Sequence, residues 1–515
     1  MRTMDRREAF KVLAGAPLTV GALTSCALTQ RSVERSGLPA FGSESPPRQF
    51  RGVWVATVDN IDWPSKPGLS TDQQRAEIDR ILDTAQRLEL NAVMLQVRPT
   101  CDALYRSDIE PWSAFLTGRQ GVGPNPDYDP LQHWVRGAHE RGLDLHAWVN
   151  PFRARHPKSI GPDAASHVSR LFPASVRTYR GHLWLDPGSP SARELSLRVI
   201  DDLLSRYDLD GIHMDDYFYP YPDDKVPFPD DETFADYTRS GGKLDRDAWR
   251  RSNIDTFVRE TQALIRRKSP HALFTISPFG IWRPNHPEGV KGFDSYAGLH
   301  ADARMWLREG WCDAMIPQLY WPVASPSQPF EPLMNWWADQ NTRNRHVWAG
   351  LYLTRILKRD DPATSWEPAE ILDQIRIVSQ SSRVTGFSLF SMIGLLENRR
   401  TIADLLAAGP LAGPALVPES PWLEATPPGA PLVAVRRTPG QLELSISPAP
   451  GTPRPRRYVV ASKADIGTAG WVLPGGDGVI RSTLRPRIMP GIGAELVVTP
   501  IGANGLTGTP TRTVS

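Results

Sequence analysis

The chain is predicted to be an α/β protein: a (β/α)8 barrel of the TIM type followed by a small all-β sandwich of fibronectin-III/Ig-like kind. Three observations carry that reading. Eight short β-like runs recur between residues 50 and 392. Amphipathic stretches of helical period lie between them. Past Arg400 the composition turns to Pro, Ala and Gly and then to short alternating strands.

The eight runs are FRGVWVAT (50–57), NAVMLQVRP (91–99), LDLHAWVN (143–150), DGIHMD (210–215), ALFTISPF (272–279), DAMIPQLYW (313–321), HVWAGLYL (346–353) and GFSLFSM (386–392). The intervening segment 72–89 sets Ile78, Ile81, Leu82, Ala85 and Leu88 on one stripe, and 194–207, 254–268 and 368–382 behave alike. Eight strands favour a closed barrel over a doubly wound open sheet, and no Gly-x-Gly-x-x-Gly turn follows any of them. The expected division is a leader over 1–26, a tether over 27–47, the barrel over 48–406, a Pro-rich linker over 407–430 and the β sandwich over 431–515.

The leader carries Arg6-Arg7, a modest apolar run and then LTSC ending at Cys26. Small residues before a cysteine resemble a bacterial lipobox, and DRREAFK resembles a twin-arginine export signal. Lipidation of Cys26 is therefore expected, with the chain held to a membrane, through that anchor, in the periplasm. Ala27 in place of an aspartate resembles outer-membrane sorting in a Gram-negative bacterium. With 59 basic and 57 acidic residues among 515, the net charge of +2 argues against nucleic-acid binding. Cys101 and Cys312 fall at opposite ends of the predicted barrel and are expected to be unpaired.

In a barrel of this type the chemistry sits at the C-terminal strand ends. Those ends bring Arg98 and Asp102 (strand 2), Trp148 and Asn150 (strand 3), and His213, Asp215, Asp216 and Tyr217 (strand 4). Trp282 follows strand 5, and Gln318, Tyr320 and Trp321 end strand 6. Carboxylates, amides and aromatic planes on one rim suit a carbohydrate, and glycoside hydrolysis needs two carboxyl groups flanking the scissile bond. Period-2 alternation puts Asp215 nearest the rim as nucleophile or base. The second acid is open among Asp102, Asp216, Asp59, Asp186 and Glu288, with Asp102 and Asp216 foremost. His213, Arg98, Trp148, Asn150, Tyr217, Trp282, Gln318, Tyr320 and Trp321 are expected to contact substrate. No histidines are spaced i, i+3 or i, i+4 as a helical metal clamp would require, so neither metal nor cofactor is expected.

RQFRGVWVATVDNIDWPS, NAVMLQVRPTCDALY, DGIHMDDYFYPYP, FTISPFGIWRPN and CDAMIPQLYW together resemble a bacterial glycosyl-hydrolase-like family, formerly a domain of unknown function. Its type is a divisome-localised outer-membrane lipoprotein glycosidase. The resemblance covers about residues 48–400. It implies a barrel that cleaves peptidoglycan glycan strands, above all strands without stem peptides, among cell-division partners. By motif it carries site roles to Arg98, Asp102, Asp215, Asp216, Gln318, Tyr320 and Trp321. The family's usual glycine before the strand 2 aspartate is Cys101 here. Two other readings stand beside this one: a glycan-binding lipoprotein without turnover, since strand 5 ends without a carboxylate, and a metal-dependent polysaccharide deacetylase or esterase.

Overall fold

The computed structural model describes residues 46–514 apart from 224–225, 358–364, 424–425, 439–440, 465–466, 476–479 and 485–494. Cys26 and residues 27–45 of the tether lie outside the described residues.

The chain builds a parallel sheet whose strands come largely in sequence order. They are β1 (Phe50–Val55), β2 (Ala92–Arg98), β3 (Asp144–Val149), β7 (Gly211–Met214), β8 (Leu273–Ile276), β9 (Ala314–Met315), β10 (His346–Val347), β11 (Ala349–Leu351) and β12 (Gly386–Leu389). A three-stranded antiparallel sheet, β4 (Arg153–Arg155), β5 (Val176–Tyr179) and β6 (His182–Leu185), is inserted between β3 and β7. The parallel sheet runs β10-β9-β8-β7-β3-β2-β1-β12-β11. Its two edge strands are separated in the chain by Trp348 alone, so the sheet nearly closes on itself. Trp348 donates its backbone N–H to Met315 O at 3.0 Å. The one continuous run predicted over 346–353 is thus two edge strands meeting at one tryptophan.

Side chains segregate by the period-2 rule. Val53, Val55, Val93, Leu95, Leu145, Ala147, Ile212 and Ile276 share a core with helix residues such as Ile78, Leu82, Leu203 and Phe257. Phe50, Trp54, Met94, Trp148, Leu273, Ala314 and Trp348 form a second cluster inside the curled sheet. There Phe50 stacks on Trp348, centroids 3.6 Å apart. Gly52 sits beneath Phe50, where an added Cβ would meet its ring at 2.5 Å, so the strand reads Phe-Arg-Gly for steric reasons.

Helices cover the outside. They are α1 (Thr71–Arg87), α2 (Pro130–Glu140), α3 (Pro190–Arg206), α4 (Arg246–Lys268), α5 (Ala303–Glu309), α6 (Phe330–Asp339), α7 (Pro368–Gln380) and α8 (Ile402–Ala408). Ser70 and Gln73 close a capping box at the start of α1. The α4 helix begins eight residues earlier than its apolar periodicity suggests, because Asp245 caps it through the Ala248 N–H at 2.8 Å.

The stretch read as a Pro-rich linker is seated against the barrel. Gln49 N–H donates to Leu416 O at 2.8 Å, and Arg51 Nη1 to Gly413 O at 2.6 Å. Trp422 Nε1 donates to Asp313 Oδ1 at 2.8 Å, and His346 Nε2 meets Ser420 Oγ at 3.0 Å. These contacts line the N-terminal ends of the strands, away from the predicted rim.

The C-terminal region forms two small antiparallel sheets. One is β13 (Leu432–Thr438), β14 (Gln441–Ser447) and β17 (Ile480–Leu484). The other runs β16 (Gly467–Pro474), β15 (Arg457–Ala464), β18 (Glu495–Ile501) and β19 (Thr511–Val514). Leu442, Leu444, Ile446, Tyr458, Val460, Leu496 and Val498 pack between them. Arg456 and Arg457 bind the barrel at Asp208, Asp210 and Asp144, at the N-terminal side of β7 and β3. Cys101 and Cys312 are separate buried thiols.

Candidate active site

Four strands deliver the polar groups at the C-terminal rim. The β7 strand ends at Met214, so Asp215 and Asp216 are the first two residues off it. Both are buried, at 3% and 2% exposure. Strands on either side of β7 orient them. Asn150, the first residue past β3, donates from Nδ2 to Asp215 Oδ2 at 2.9 Å. Gln318, past β9, donates from Nε2 to Asp216 Oδ1 at 2.9 Å and to Ser277 O at 3.0 Å. Tyr221 places its hydroxyl on Asp216 Oδ2. Asp215 thus faces the β3 side of the rim and Asp216 the β9 side, although the two are adjacent in sequence.

The amide orientations follow from obligate donors. Arg153 Nη2 can only donate, and it lies 3.0 Å from Asn150 Oδ1. The Thr57 and Val58 backbone N–H groups each donate to Gln96 Oε1 at 2.9 Å. Gln96 Nε2 therefore faces Asn150 Oδ1, at 2.5 Å. The Ser277 carbonyl can only accept, which fixes Gln318 the same way.

Several of the expected site residues are buried and held by partners within the protein. Arg98, expected at the substrate, is fully buried inside the wall. Its guanidinium grips Glu110 through two hydrogen bonds, 2.8 and 2.5 Å, and the Asn150 and Pro151 carbonyls at 2.7 and 2.9 Å. A buried charge needs that partner, and the sequence pattern could not display Glu110 twelve residues away. His213 is likewise fully buried and lies within the barrel. Trp54 Nε1 donates to its Nε2 at 2.9 Å, leaving Nδ1–H for Thr275 Oγ1 at 2.8 Å. Burial, with His146 nearby, holds His213 well below the usual imidazole range and therefore neutral. Trp148 packs edge-on to His213 in the same interior, 2% exposed, as part of the barrel's filling. Asn150 is also fully buried, and it holds Asp215 where a substrate contact was expected.

Asp102 sits in the loop fed by β2, 1% exposed. It accepts from Thr100 Oγ1 at 2.9 Å and from Gln120 Nε2 at 3.3 Å. Burial raises its pKa above the usual carboxylate value, against those hydrogen bonds. Cys101 beside it holds φ at 50°, the left-handed region where a glycine is least costly. Asp59 is tied to Lys158 at 2.5 Å, and Asp186 accepts from Thr233 and the Gly188 N–H. Asp62 clamps the ends of β1 and β12 through the Ala56 N–H, Ser391 Oγ and the Ile393 N–H. Burial pushes the Asp62 carboxyl up to about 6.

Aromatic groups surround the acids. Tyr217, 7% exposed, receives Arg153 Nη1 on its hydroxyl at 2.5 Å. Tyr320 stacks on Tyr352 at 4.8 Å, and Trp321 meets Phe279 edge-on at 5.6 Å. Trp282 stacks on Trp336 at 5.9 Å and donates to Asp302. Phe218 and Tyr219, from the same loop as Tyr217, turn inward against Trp306 and against Phe228 and His300. Much of the aromatic exit therefore anchors the loop.

Sequence reasoning missed Gln96 and Glu110. A glutamine amid the apolar strand AVMLQVR was the available signal, since a buried amide needs partners. Among the described residues no three His, Cys, Asp or Glu side chains converge as a metal ion would require.

Residues 49–366 match the family model described as Glycosyl hydrolase-like 10. The chain is 37% identical over 402 residues to "Glycosyl hydrolase YngK" of Bacillus subtilis (strain 168), covering 76% of this chain and 78% of that protein. It is 34% identical over 376 residues to "Glycosyl hydrolase DigH" of Escherichia coli (strain K12), covering 67% of this chain and 84% of the relative. Among solved structures it is similar to the PgaB (BpsB) glycoside hydrolase domain from Bordetella bronchiseptica. That likeness has 14% identity and a TM-score of 0.45, over 70% of this chain and 99% of the other.

Proposed function

This chain belongs to the glycosyl hydrolase-like 10 family, and on that premise we propose that it is a glycosidase cleaving the glycan strands of peptidoglycan, preferentially strands stripped of stem peptides. The parallel sheet is read as a (β/α)8 barrel and the C-terminal sheets as a fibronectin-III-like module. The enzyme works in the periplasm, held to the outer membrane by a lipid on Cys26, among cell-division partners. The leader motif, ending in LTSC, supports that placement.

One observation carries the catalytic reading. Two adjacent carboxylates leave one strand end, and amides from β3 and β9 hold them to opposite sides of the rim. Asp215, accepting from Asn150, serves as nucleophile or base. Asp216 bears the proton for the leaving oxygen: its Oδ1 accepts from Gln318, while its Oδ2 meets a hydroxyl that can give or take a proton. Asp102, raised by burial but enclosed in its loop, is the second choice for that acid. Tyr320, Tyr217, Trp282 and Trp321 supply planes for sugar rings.

Purified full-length protein incubated with peptide-free glycan strands tests this. The wild type releases short saccharides, and Asp215→Asn, still folded, loses at least about 10³-fold in rate. An equally active Asp215→Asn overturns the assignment. A second reading has its own observation: β8 ends in Ser277 and Phe279 without a carboxylate. Strand binding without turnover by the wild type favours that glycan-binding role.

A further inference from the structure

Asp215 is the end of a chain of amides that begins on backbone. The Thr57 and Val58 N–H groups fix Gln96 Oε1, Gln96 Nε2 donates to Asn150 Oδ1, and Asn150 Nδ2 donates to Asp215 Oδ2. Arg153 Nη2 donates to the same Asn150 oxygen and blocks the flipped amide. Arg153 is itself held by the Pro99 carbonyl at 3.0 Å and by the Tyr217 hydroxyl. Gln96 and Asn150 are fully buried, so water does not compete for these bonds.

We propose that Gln96 and Arg153 are positioning residues that lock the Asn150 amide with its N–H toward Asp215 and so keep Asp215 ionised as nucleophile or base. The inference rests on the glycosidase reading for its catalytic meaning, but the electrostatic claim stands by itself. A hydrogen bond donated to a carboxylate favours the charged form, and a carbonyl turned toward it favours the protonated form. The guanidinium of Arg153, one amide away, acts in the same direction. The charged or titratable groups around this stretch are Arg153 beyond β3, and Asp216, Tyr217 and Tyr221 beyond β7. His213, neutral, lies two residues back on the strand, and the paired Arg98 and Glu110 lie behind Asn150.

Gln96→Glu is the informative variant. Its carboxylate still accepts from Thr57 and Val58 but can no longer donate to Asn150. Asn150 Oδ1 then faces a carboxylate instead of a donor, and Arg153 alone opposes the turn that would bring that oxygen to Asp215. Arg153→Met removes the other lock and carries the test if Gln96→Glu does not fold. Carboxyl carbons are followed by NMR in protein labelled with [¹³C]aspartate, with Asp215→Asn identifying the resonance. The Asp215 carboxyl titrates at a lower pH in the wild type than in either variant. In either variant it moves up by about one pH unit or more, and the acidic limb of kcat/KM on peptide-free strands moves with it. A resonance that titrates at the same pH in wild type and variants overturns the proposal. If the resonance shifts but the wild type cleaves no glycan, the positioning role stands and the glycosidase reading fails. If the wild type cleaves and the resonance does not shift, the reverse holds.

Discussion

The two ends of the barrel treat buried acids differently. At the N-terminal end, the buried Asp210 and Asp144, together with the exposed Asp208, are met directly by guanidinium groups. Arg456 reaches Asp208 at 2.5 Å and Asp210 at 3.2 Å, and Arg457 reaches Asp144 at 2.9 Å. At the C-terminal end, the groups orienting Asp215 and Asp216 include amides and a phenol, and Arg153 acts on Asp215 through Asn150. A carboxylate bound face to face with arginine is a strut. It joins the β module to the barrel, and its free energy is that of a paired buried charge. A carboxylate oriented by neutral donors keeps a fixed direction without a countercharge bound face to face. The same residue type thus does structural work at one mouth and is available for reaction at the other.

The sharpest way to break this comparison is at Asp216. Asp216→Asn should lower kcat on peptide-free strands by about 10²–10⁴-fold with little change in unfolding midpoint. Sugars with good leaving groups should restore much of that loss. A variant that loses stability but keeps its rate would place Asp216 among the struts.

At the other mouth the signature is reversed. Arg457→Met leaves Asp144 buried without its partner. It should cost about 3–5 kcal/mol in denaturant unfolding while kcat per folded molecule stays within about twofold. Loss of rate in the folded fraction would mean that the β module tunes the rim.

Tyr221→Phe probes the rim more gently. It removes the hydroxyl shared with Asp216 Oδ2 at a cost of about 1 kcal/mol, read as a several-fold fall in kcat and a displaced basic limb of the pH profile.

The smallest effect is on pH dependence at the N-terminal mouth. Burial disfavours charged His139, but Asp210 at 2.8 Å and Asp208 outweigh it and lift its pKa above the usual 6.5. Burial likewise opposes ionisation of Asp210, and Arg456, His139 and the Leu145 N–H overcome it, holding that carboxyl well below 3.8. The His139 contribution is therefore complete below pH 6.5 and fades as pH rises through its folded pKa. The Asp210 contribution is complete above the usual aspartate value and fades as pH falls through its folded pKa. His139→Ala should flatten the decline in stability above pH 6.5, a difference of about 1 kcal/mol or less by denaturant melts at several pH values.

Much of the architecture was legible because it follows local rules. Alternating apolar runs such as AVMLQVR and amphipathic runs such as the one over 72–89 specify which face is buried, and burial by period is set within a few residues. The last acid of DGIHMD could be placed at a rim for the same reason. What local pattern could not display was any partner distant in sequence. Arg98 looked like a ligand-binding arginine because Glu110 was invisible as its mate. His213 looked like a site residue because nothing local says that Trp54, 159 positions away, would donate to it. The inserted β4–β6 sheet and the seating of 411–423 under the barrel are likewise outcomes of long-range pairing.

By itself, then, the sequence determined the alternation of strands and helices, the composition break after Arg400, and two acids at the end of β7. Only the tertiary structure decided that these adjacent acids face different strands, that Gln96, Asn150 and Arg153 fix the direction of the first, and that three other acids are struts at the far mouth. The reason is physical. Periodicity is a property of neighbouring backbone dihedrals, whereas the protonation state of a buried carboxylate is set by donors and charges that only folding brings within 3 Å.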